Sequence, residues 1–339
     1  MRLLVLGAGG IGGYFGGRLA EAGADVTFLV RPGRREQLER DGLRIESPRG
    51  NLQMPVQSVL ATAVGSQYDV VLLTCKAYDL DSSMDAIAPA MRGTCAVLPV
   101  LNGIAHLARL DERFGKASVM GGACLISVVL LDDGLIRHVD PLHRLVFGAR
   151  DGAQATRAEA VAAALSHTTV DWQLSTDIEQ DLWEKIIFLS VLAATTCLFR
   201  ANIREIIAAP GGLQSIERAF DANMKIATRE GHPPREASIA FARERLTRPE
   251  AMTSASMLHD MEAGRPVESE HIVGWMLDKA RAHGVDDAIL ALAFTHLKAY
   301  EARRAAARLP QSPVARAQVP DVDGKSARAN VHISSHIQV

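Results

Sequence analysis

The chain has 339 residues, 48% of them hydrophobic and 22% charged, with a formal net charge of -2. This is the balance of a globular protein with enough chain for two buried cores, and it excludes the broad basic surface of a nucleic-acid binder or of a protein held on anionic membranes. Four cysteines, Cys75, Cys95, Cys124 and Cys197, show neither CxxC spacing nor the density of a disulfide scaffold. Met1 to Leu6 is strand-like and lacks the order of an export signal, so a cytoplasmic location is expected by exclusion.

The first strand is Leu3-Leu4-Val5-Leu6, a continuous apolar run of the kind that lies in a parallel sheet covered on both faces. Gly7-Ala8-Gly9-Gly10-Ile11-Gly12 follows directly and opens a helix predicted over Ile11 to Ala22. A GxGxxG gains meaning in that strand–turn–helix context. Gly7 permits the tight turn, Gly9 leaves room for a pyrophosphate, Gly12 lets helix and strand pack closely, and the first helical amides, with Gly10 and Ile11, face the phosphates.

A second strand runs from Val26 to Val30 and ends at Arg31. An acid at that point would receive the adenosine ribose hydroxyls of NAD, whereas an arginine can receive the 2′-phosphate of NADP. Arg31 therefore favours NADP(H), with Arg34 and Arg35 close behind. Residues 33–67 read as a helix followed by short strands or loops.

Further strands are predicted near 69–74, 95–100 and 117–129. Lys76 follows the first of these and Asn102 the second, at strand ends where open α/β sheets bind ligands. Lys76 suits a cofactor phosphate or a substrate carboxylate; Asn102 suits a carboxamide, a ribose or the reacting group. After Asp133-Gly134 the pattern predicts a hairpin of Ile136 to Val139 with Arg144 to Phe147, then a helix over 153–165.

Near residue 175 the character changes, and helices are predicted over 177–199, 212–230, 234–246, 250–260, 267–283 and 286–304. The longest apolar run, Ile186 to Phe199, is interrupted by Ser190, Thr195 and Thr196 and reads as a buried helix. Lys185 stands at its mouth, where desolvation lowers a lysine pKa toward a value useful for proton transfer. Such a lysine can stabilise the alkoxide that forms when hydride reaches a carbonyl, and can donate the proton. A wet, snorkelling lysine is the plain alternative. Downstream, Pro266 marks a helix start that would put Glu268 in the first turn, where its carboxylate can position Lys185, hold substrate or simply cap. His259 and His271 lack a third ligand at useful spacing, so no metal is expected.

The organisation expected is an N-terminal Rossmann-type α/β domain over residues 1–172, an all-helical catalytic and substrate-binding domain over 173–305, and a mobile tail over 306–339. The quoted pieces GAGGIGGYFGGRLAEAG, LVR ending at Arg31, TCKAYD around Lys76, LNGI around Asn102, LWEK at Lys185 and SMLHDMEAGRPVESEHIVG from Ser256 make roughly residues 1–305 resemble the ketopantoate reductase (2-dehydropantoate 2-reductase) family. The resemblance implies NADPH and a branched 2-oxo acid in the cleft. By it Lys185 is the general acid, Glu268 organises the site and binds substrate, Asn102 touches the reacting region, Ser256 binds the substrate carboxylate, and Arg31 and Lys76 bind the cofactor. The reaction implied is reduction of 2-dehydropantoate to pantoate, for pantothenate synthesis.

One departure bears on substrate. The family places asparagines one and two helical turns after the lysine, and this chain has Leu189 and Ala193 there. Reduction of a more apolar 2-oxo acid is therefore the first alternative; a non-catalytic NADP(H)-binding sensor or interaction protein is the second. The partners expected are a small 2-oxo acid, no nucleic acid and no membrane, with a homodimer through an apolar helix face of the second domain left open.

Overall fold

The structure, a computed structural model, describes residues 1–309. Strands and helices alternate at first: β1 (Arg2–Leu6), α1 (Gly10–Glu21), β2 (Asp25–Leu29), α2 (Pro32–Asp41), β3 (Leu43–Glu46), β4 (Leu52–Met54) and β5 (Gln57–Val59). They continue with β6 (Val70–Leu73), α3 (Leu80–Ile87), β7 (Ala96–Pro99), α4 (Ala105–Phe114), β8 (Gly121–Leu130), β9 (Leu135–Gly148), α5 (Ala155–Leu165) and β10 (Asp171–Leu174). Among the described residues helices follow: α6 (Ile178–Phe199), α7 (Ile203–Ala208), α8 (Gly212–Arg229), α9 (Glu236–Thr247), α10 (Ser256–Glu262), a π-helical turn at Glu270–Gly274, α11 (Trp275–Ala282) and α12 (Ala288–Ala305).

The first sheet is parallel throughout, in the order β5-β2-β1-β6-β7. Strand periodicity explains its continuous apolar runs, because successive side chains serve opposite faces. Leu3, Val5, Val70, Leu72, Ala96 and Leu98 join an apolar cluster with Tyr14 and Phe15 of α1, Ile45 of β3 and Phe147 of β9. Leu4, Val71, Leu73 and Val97 join another, which takes in α3, α4 and most of the helical half, including Ile186, Val191 and Ala193 of α6. The sheet is thus sandwiched, and one of its faces shares a core with the helices.

A second sheet, β10-β9-β3-β4 with β8 antiparallel to β9, lies beyond α1. Here the hairpin predicted between Ile136–Val139 and Arg144–Phe147 is not formed: both segments belong to the single strand β9, and the hairpin partner is β8, across a turn at residues 131–134. The reason is a β-bulge. Ile126 pairs with His143 but Val128 with His138, so β9 carries extra residues at this point, and its buried positions switch from Ile136 and His138 to His143, Leu145 and Phe147. That change of parity imitates a turn in the sequence.

Two helical predictions also change. Of 250–260, only the part from Ser256 on is helical, because Ile203 and Arg204 donate backbone hydrogen bonds to Thr253 and Ala251 (3.0 and 2.8 Å) and tie that segment to the start of α7. Of 267–283, the first turns are the π turn, and Glu268 precedes them rather than sitting inside a helix. Helices α3, α4 and α7 and strand β10 are not among the predicted elements. The division expected between residues 172 and 173 falls inside β10, which pairs with β9 in parallel. Residues 306–309 of the expected tail follow α12 directly, and residues 310–339 lie outside the described residues. By length and composition α6 is apolar enough to cross a membrane, but 72% of its most apolar window is buried inside the protein, as suits a core helix.

Candidate active site

The carboxyl ends of β1, β2, β6 and β7 meet along one edge of the parallel sheet, and each delivers a singled-out residue there. After β1, Gly12 is obligatory for packing: a Cβ on it would overlap the Gly7 carbonyl oxygen and Thr74 Oγ1. A Cβ on Gly9, by contrast, would meet nothing within 4 Å, so this side of the loop is open. Gly9 caps α1 with no side-chain hydrogen bond to the first-turn amides. Open space over uncapped helical amides, which include those of Gly10, Ile11 and Gly12, fits a dinucleotide pyrophosphate.

After β2, Arg31 caps α2 ahead of Pro32. Its side chain is 82% exposed and its guanidinium lies 3.3 Å from Asp79. Arg35 pairs with Glu39 on its own helix (2.7 Å). Arg34 turns inward, with Nε donating to the Ala8 carbonyl (2.9 Å) and a terminal nitrogen to that of Gly134 (3.0 Å). It therefore braces the glycine loop against the β8–β9 turn, a role that position in a charged loop did not disclose.

After β6, Thr74 donates to the Leu6 carbonyl (2.6 Å), and Lys76 reaches across to the helical half. Its Nζ lies 3.2 Å from both Glu268 Oε2 and Asp260 Oδ2. The other oxygen of Glu268 accepts the Ala77 backbone N–H at 2.9 Å. Of the roles open to Glu268, positioning Lys185, holding substrate or capping, none needs the carboxylate inside a helix; it stands ahead of the helix and clasps Lys76. Burial pulls the Lys76 pKa down, but Glu268 and Asp260 outweigh it and lift the ammonium to about 12. Asp260 completes the clasp and is bound in turn by Arg265 (2.8 Å); it lies within the segment quoted from Ser256, which gave it no role.

After β7, Asn102 meets Lys185 directly. Lys185 Nζ lies 3.3 Å from Asn102 Oδ1 and donates to the Cys124 carbonyl at 2.8 Å. Burial lowers the lysine's pKa from its ordinary value, and the Glu268 carboxylate opposes it. The helix that carries it starts at Asp177, whose side chain accepts the Gln180 N–H (3.3 Å), and Glu179 in the same first turn pairs with Arg150 at 3.0 Å. Arg150 also holds Asp111 of α4 through two bonds of 2.7 and 2.9 Å, so α4, α6 and the loop that follows β9 are fixed together.

One and two turns beyond Lys185, Leu189 is half-buried and Ala193 buried. The nearby hydroxyls do not take over their polar function. Thr195 donates to the Val191 carbonyl (2.8 Å) and Thr196 to that of Leu192 (2.6 Å), while Ser190 Oγ is buried without a protein partner. Thr196 Oγ1 also accepts the Ala255 N–H (3.2 Å), which fixes the start of α10 and with it the exposed Ser256. Among the described residues no group of three His, Cys, Asp or Glu is arranged to hold a metal ion.

The edge thus offers an anion cradle at one end and a half-buried lysine with an amide at the other, joined by the Lys76 clasp. Sequence comparison matches a family pattern to each half of the chain. The pattern described as "Ketopantoate reductase PanE/ApbA" matches residues 3–152, and its C-terminal counterpart matches residues 177–301. The uncharacterized oxidoreductase YkpB of Bacillus subtilis is 35% identical over 90% of this chain and 100% of its own length. A 2-dehydropantoate 2-reductase of Halobacterium salinarum is 28% identical, covering 84% of this chain and 94% of its own. Among solved structures, a ternary complex of D-mandelate dehydrogenase with NADH and anilino(oxo)acetate superposes with a TM-score of 0.80 at 20% identity over 90% of this chain and 100% of that one, a likeness of fold.

Proposed function

The chain belongs to the ketopantoate reductase family of oxidoreductases, and from that premise we propose that it reduces 2-dehydropantoate to pantoate with NADPH, using Lys185 as the general acid. The observation that carries the reading is the Lys185–Asn102 contact of 3.3 Å at the carboxyl edge of the dinucleotide-binding sheet.

Gly7, Gly9, Gly10, Ile11 and Gly12 would hold the pyrophosphate, and Arg31 the 2′-phosphate, exchanging its 3.3 Å contact with Asp79 for a stronger anion. When bound, the reduced cofactor supplies hydride for C2 of the substrate. Lys185 holds its proton toward the carbonyl oxygen, where negative charge develops, and donates it there. Asn102 orients both lysine and carbonyl, and serves the nicotinamide end of the cofactor as well. Ser256, at the open start of α10, binds the substrate carboxylate. Glu268 acts through Lys76: the pair spans the cleft and sets where cofactor and substrate anions meet a cation.

Reduction of a more apolar 2-oxo acid by the same groups is the second reading, and the side chains of Leu189 and Ala193 favour it. A buried substrate hydroxyl left without a partner there loses about 1–3 kcal/mol.

Steady-state assays with NADPH and with NADH across a panel of 2-oxo acids separate these readings. Useful turnover of ketopantoate supports the first; efficient turnover of an apolar acid without it supports the second. Lys185→Ala is expected to lower kcat by about 10² to 10⁴, and an unchanged kcat removes the lysine from the chemistry. Because the acid must be protonated and burial lowers its pKa, the reduction rate should fall as pH rises through that lowered value, below the usual lysine range.

A further inference from the structure

Asp79 stands in the place of a helix cap and does not serve as one. It precedes α3 directly, where an aspartate ordinarily accepts an amide of the first turn, yet its side chain makes no capping hydrogen bond. Its carboxylate lies instead 3.3 Å from the guanidinium of Arg31, 48 residues away in sequence. The strand order β2-β1-β6 shows what lies between the two. Arg31 follows β2, and Asp79 ends the short 3₁₀ turn Ala77–Asp79 that follows β6, so the pair crosses the carboxyl end of β1, where the glycine loop begins. The adenosine of a dinucleotide belongs on that ground, between the pyrophosphate at the start of α1 and the residue after β2 that meets its ribose.

The backbone that carries Asp79 is fixed. Its N–H donates to the Lys76 carbonyl (2.9 Å), Ser82 Oγ donates to its carbonyl (3.0 Å), and the Ala77 N–H within the same turn donates to Glu268 (2.9 Å). The contact with Arg31 is less firm. The two side chains are 82% and 39% exposed, and an ion pair so open to water is weak and readily exchanged. Other cations near this edge are engaged elsewhere: Arg34 by the Ala8 and Gly134 carbonyls, Arg35 by Glu39, and Lys76 by Glu268 and Asp260.

The adenosine end thus presents a guanidinium beside a carboxylate, and the two suit different ligands. A 2′-phosphate carries up to about two negative charges, so it is drawn to Arg31 and repelled by Asp79. A free ribose hydroxyl donates to a carboxylate, the task an acid after β2 performs in NAD-preferring sites. Here β2 ends in arginine and the acid arrives from β6.

We propose that Asp79 is a specificity-determining residue for the cofactor: it accepts a ribose hydroxyl of NADH, and it moderates the NADPH preference given by Arg31 by competing for the guanidinium. The inference rests on the reductase reading above and extends it to the use of both cofactors. Toward NADH, Arg31 and Asp79 stay paired while the carboxylate takes the hydroxyl. Toward NADPH the pair opens, the guanidinium passes to the phosphate, and the carboxylate turns to the solvent it already meets.

The test is calorimetric titration of full-length wild type and Asp79→Ala with NADP⁺ and, separately, with NAD⁺, at low ionic strength, where surface charges are least screened. Because the side chain does not cap α3, its removal takes no cap from the helix. Affinity for NADP⁺ should rise and affinity for NAD⁺ fall, each by about threefold or more, as befits an exposed charge contact. A merely structural role cannot give opposite signs, since a loosened turn would weaken both. Affinities that move together, or that do not move, overturn the proposal, as does wild type that binds NADP⁺ and not NAD⁺. In an Arg31→Ala background the gain toward NADP⁺ should shrink, there being no guanidinium left to release; an undiminished gain refutes the competition. Failure of the reductase reading shows separately, as wild type that turns over no 2-oxo acid with either cofactor, while the titrations still decide the role of Asp79.

Discussion

Arg31 and Glu268 illustrate what single residues did and did not disclose. Arg31 was legible as a cofactor-selecting candidate because its position is fixed by chain order, directly after β2, and needs no knowledge of packing. It stands there with a side chain 82% exposed and a 3.3 Å contact to Asp79. Arg31→Ala should therefore lower the ratio of kcat/KM for NADPH over NADH by about tenfold or more, equivalent to about 1.4 kcal/mol; the two cofactors' steady-state kinetics provide the check, and an unaltered ratio removes Arg31 from selection. Glu268 was legible as an important carboxylate but not in its partner. Whether it faced Lys185 or Lys76 depended on the backbone between Pro266 and Glu268, which is irregular where a helical turn was predicted. Asp260, the other acid on Lys76, carries no local signal, since its role arises from a contact 184 residues distant in sequence.

Among elements, those with a long and unambiguous period were read well, and those whose shape depends on a neighbour were not. Helix α6 has a capping Asp177, an acidic first turn and an apolar body, and spans Ile178–Phe199 against a prediction of 177–199. The β9 bulge, the π turn and the non-helical residues 251–255 all come where tertiary pairing overrides local pattern. The same α6 supplies the sharpest test of substrate. Leu189 is half-buried on the lysine's face, so Leu189→Asn places an amide there at a modest helix-propensity cost of about 0.5 kcal/mol. The ratio of kcat/KM for ketopantoate over an apolar 2-oxo acid should rise by about 5- to 150-fold, the equivalent of about 1–3 kcal/mol for a buried polar group gaining its partner. No change in that ratio would mean that position 189 does not see the substrate.

At the scale of the whole molecule, buried histidines tie stability to pH. His143 is fully buried between α1 and the second sheet and shares a 2.6 Å hydrogen bond with Tyr14. Burial first, and then Arg49, bring its pKa down to about 4 against the pull of Asp171. The unfolded chain takes up that proton near the ordinary histidine value of about 6.5, so below it the unfolded state binds more protons than the folded one. Stability is then lost progressively as pH falls from about 6.5 toward 4. His143→Gln, which can still accept from Tyr14 but does not titrate, should lose less Tm than wild type between neutral pH and about pH 4.5, as followed by circular dichroism; parallel loss in the two proteins would refute the assignment.

The sheet whose two faces enter different apolar clusters has a consequence for how such a chain can be taken apart. One face of β1, β6 and β7 is covered by α3, α4 and the helices that start at Ile178, in a single continuous cluster. The segments 3–152 and 177–301 match separate family patterns, yet they are not interchangeable cassettes. Either half expressed alone would present a bare oily surface to water, and a chimera joining one half to a foreign partner would have to recut that surface first. Inheritance therefore acts on the seam as a unit: the cluster that holds Val71 and Val97 runs without a break through α3 and α4 into Ile186, Val191 and Ala193 of α6.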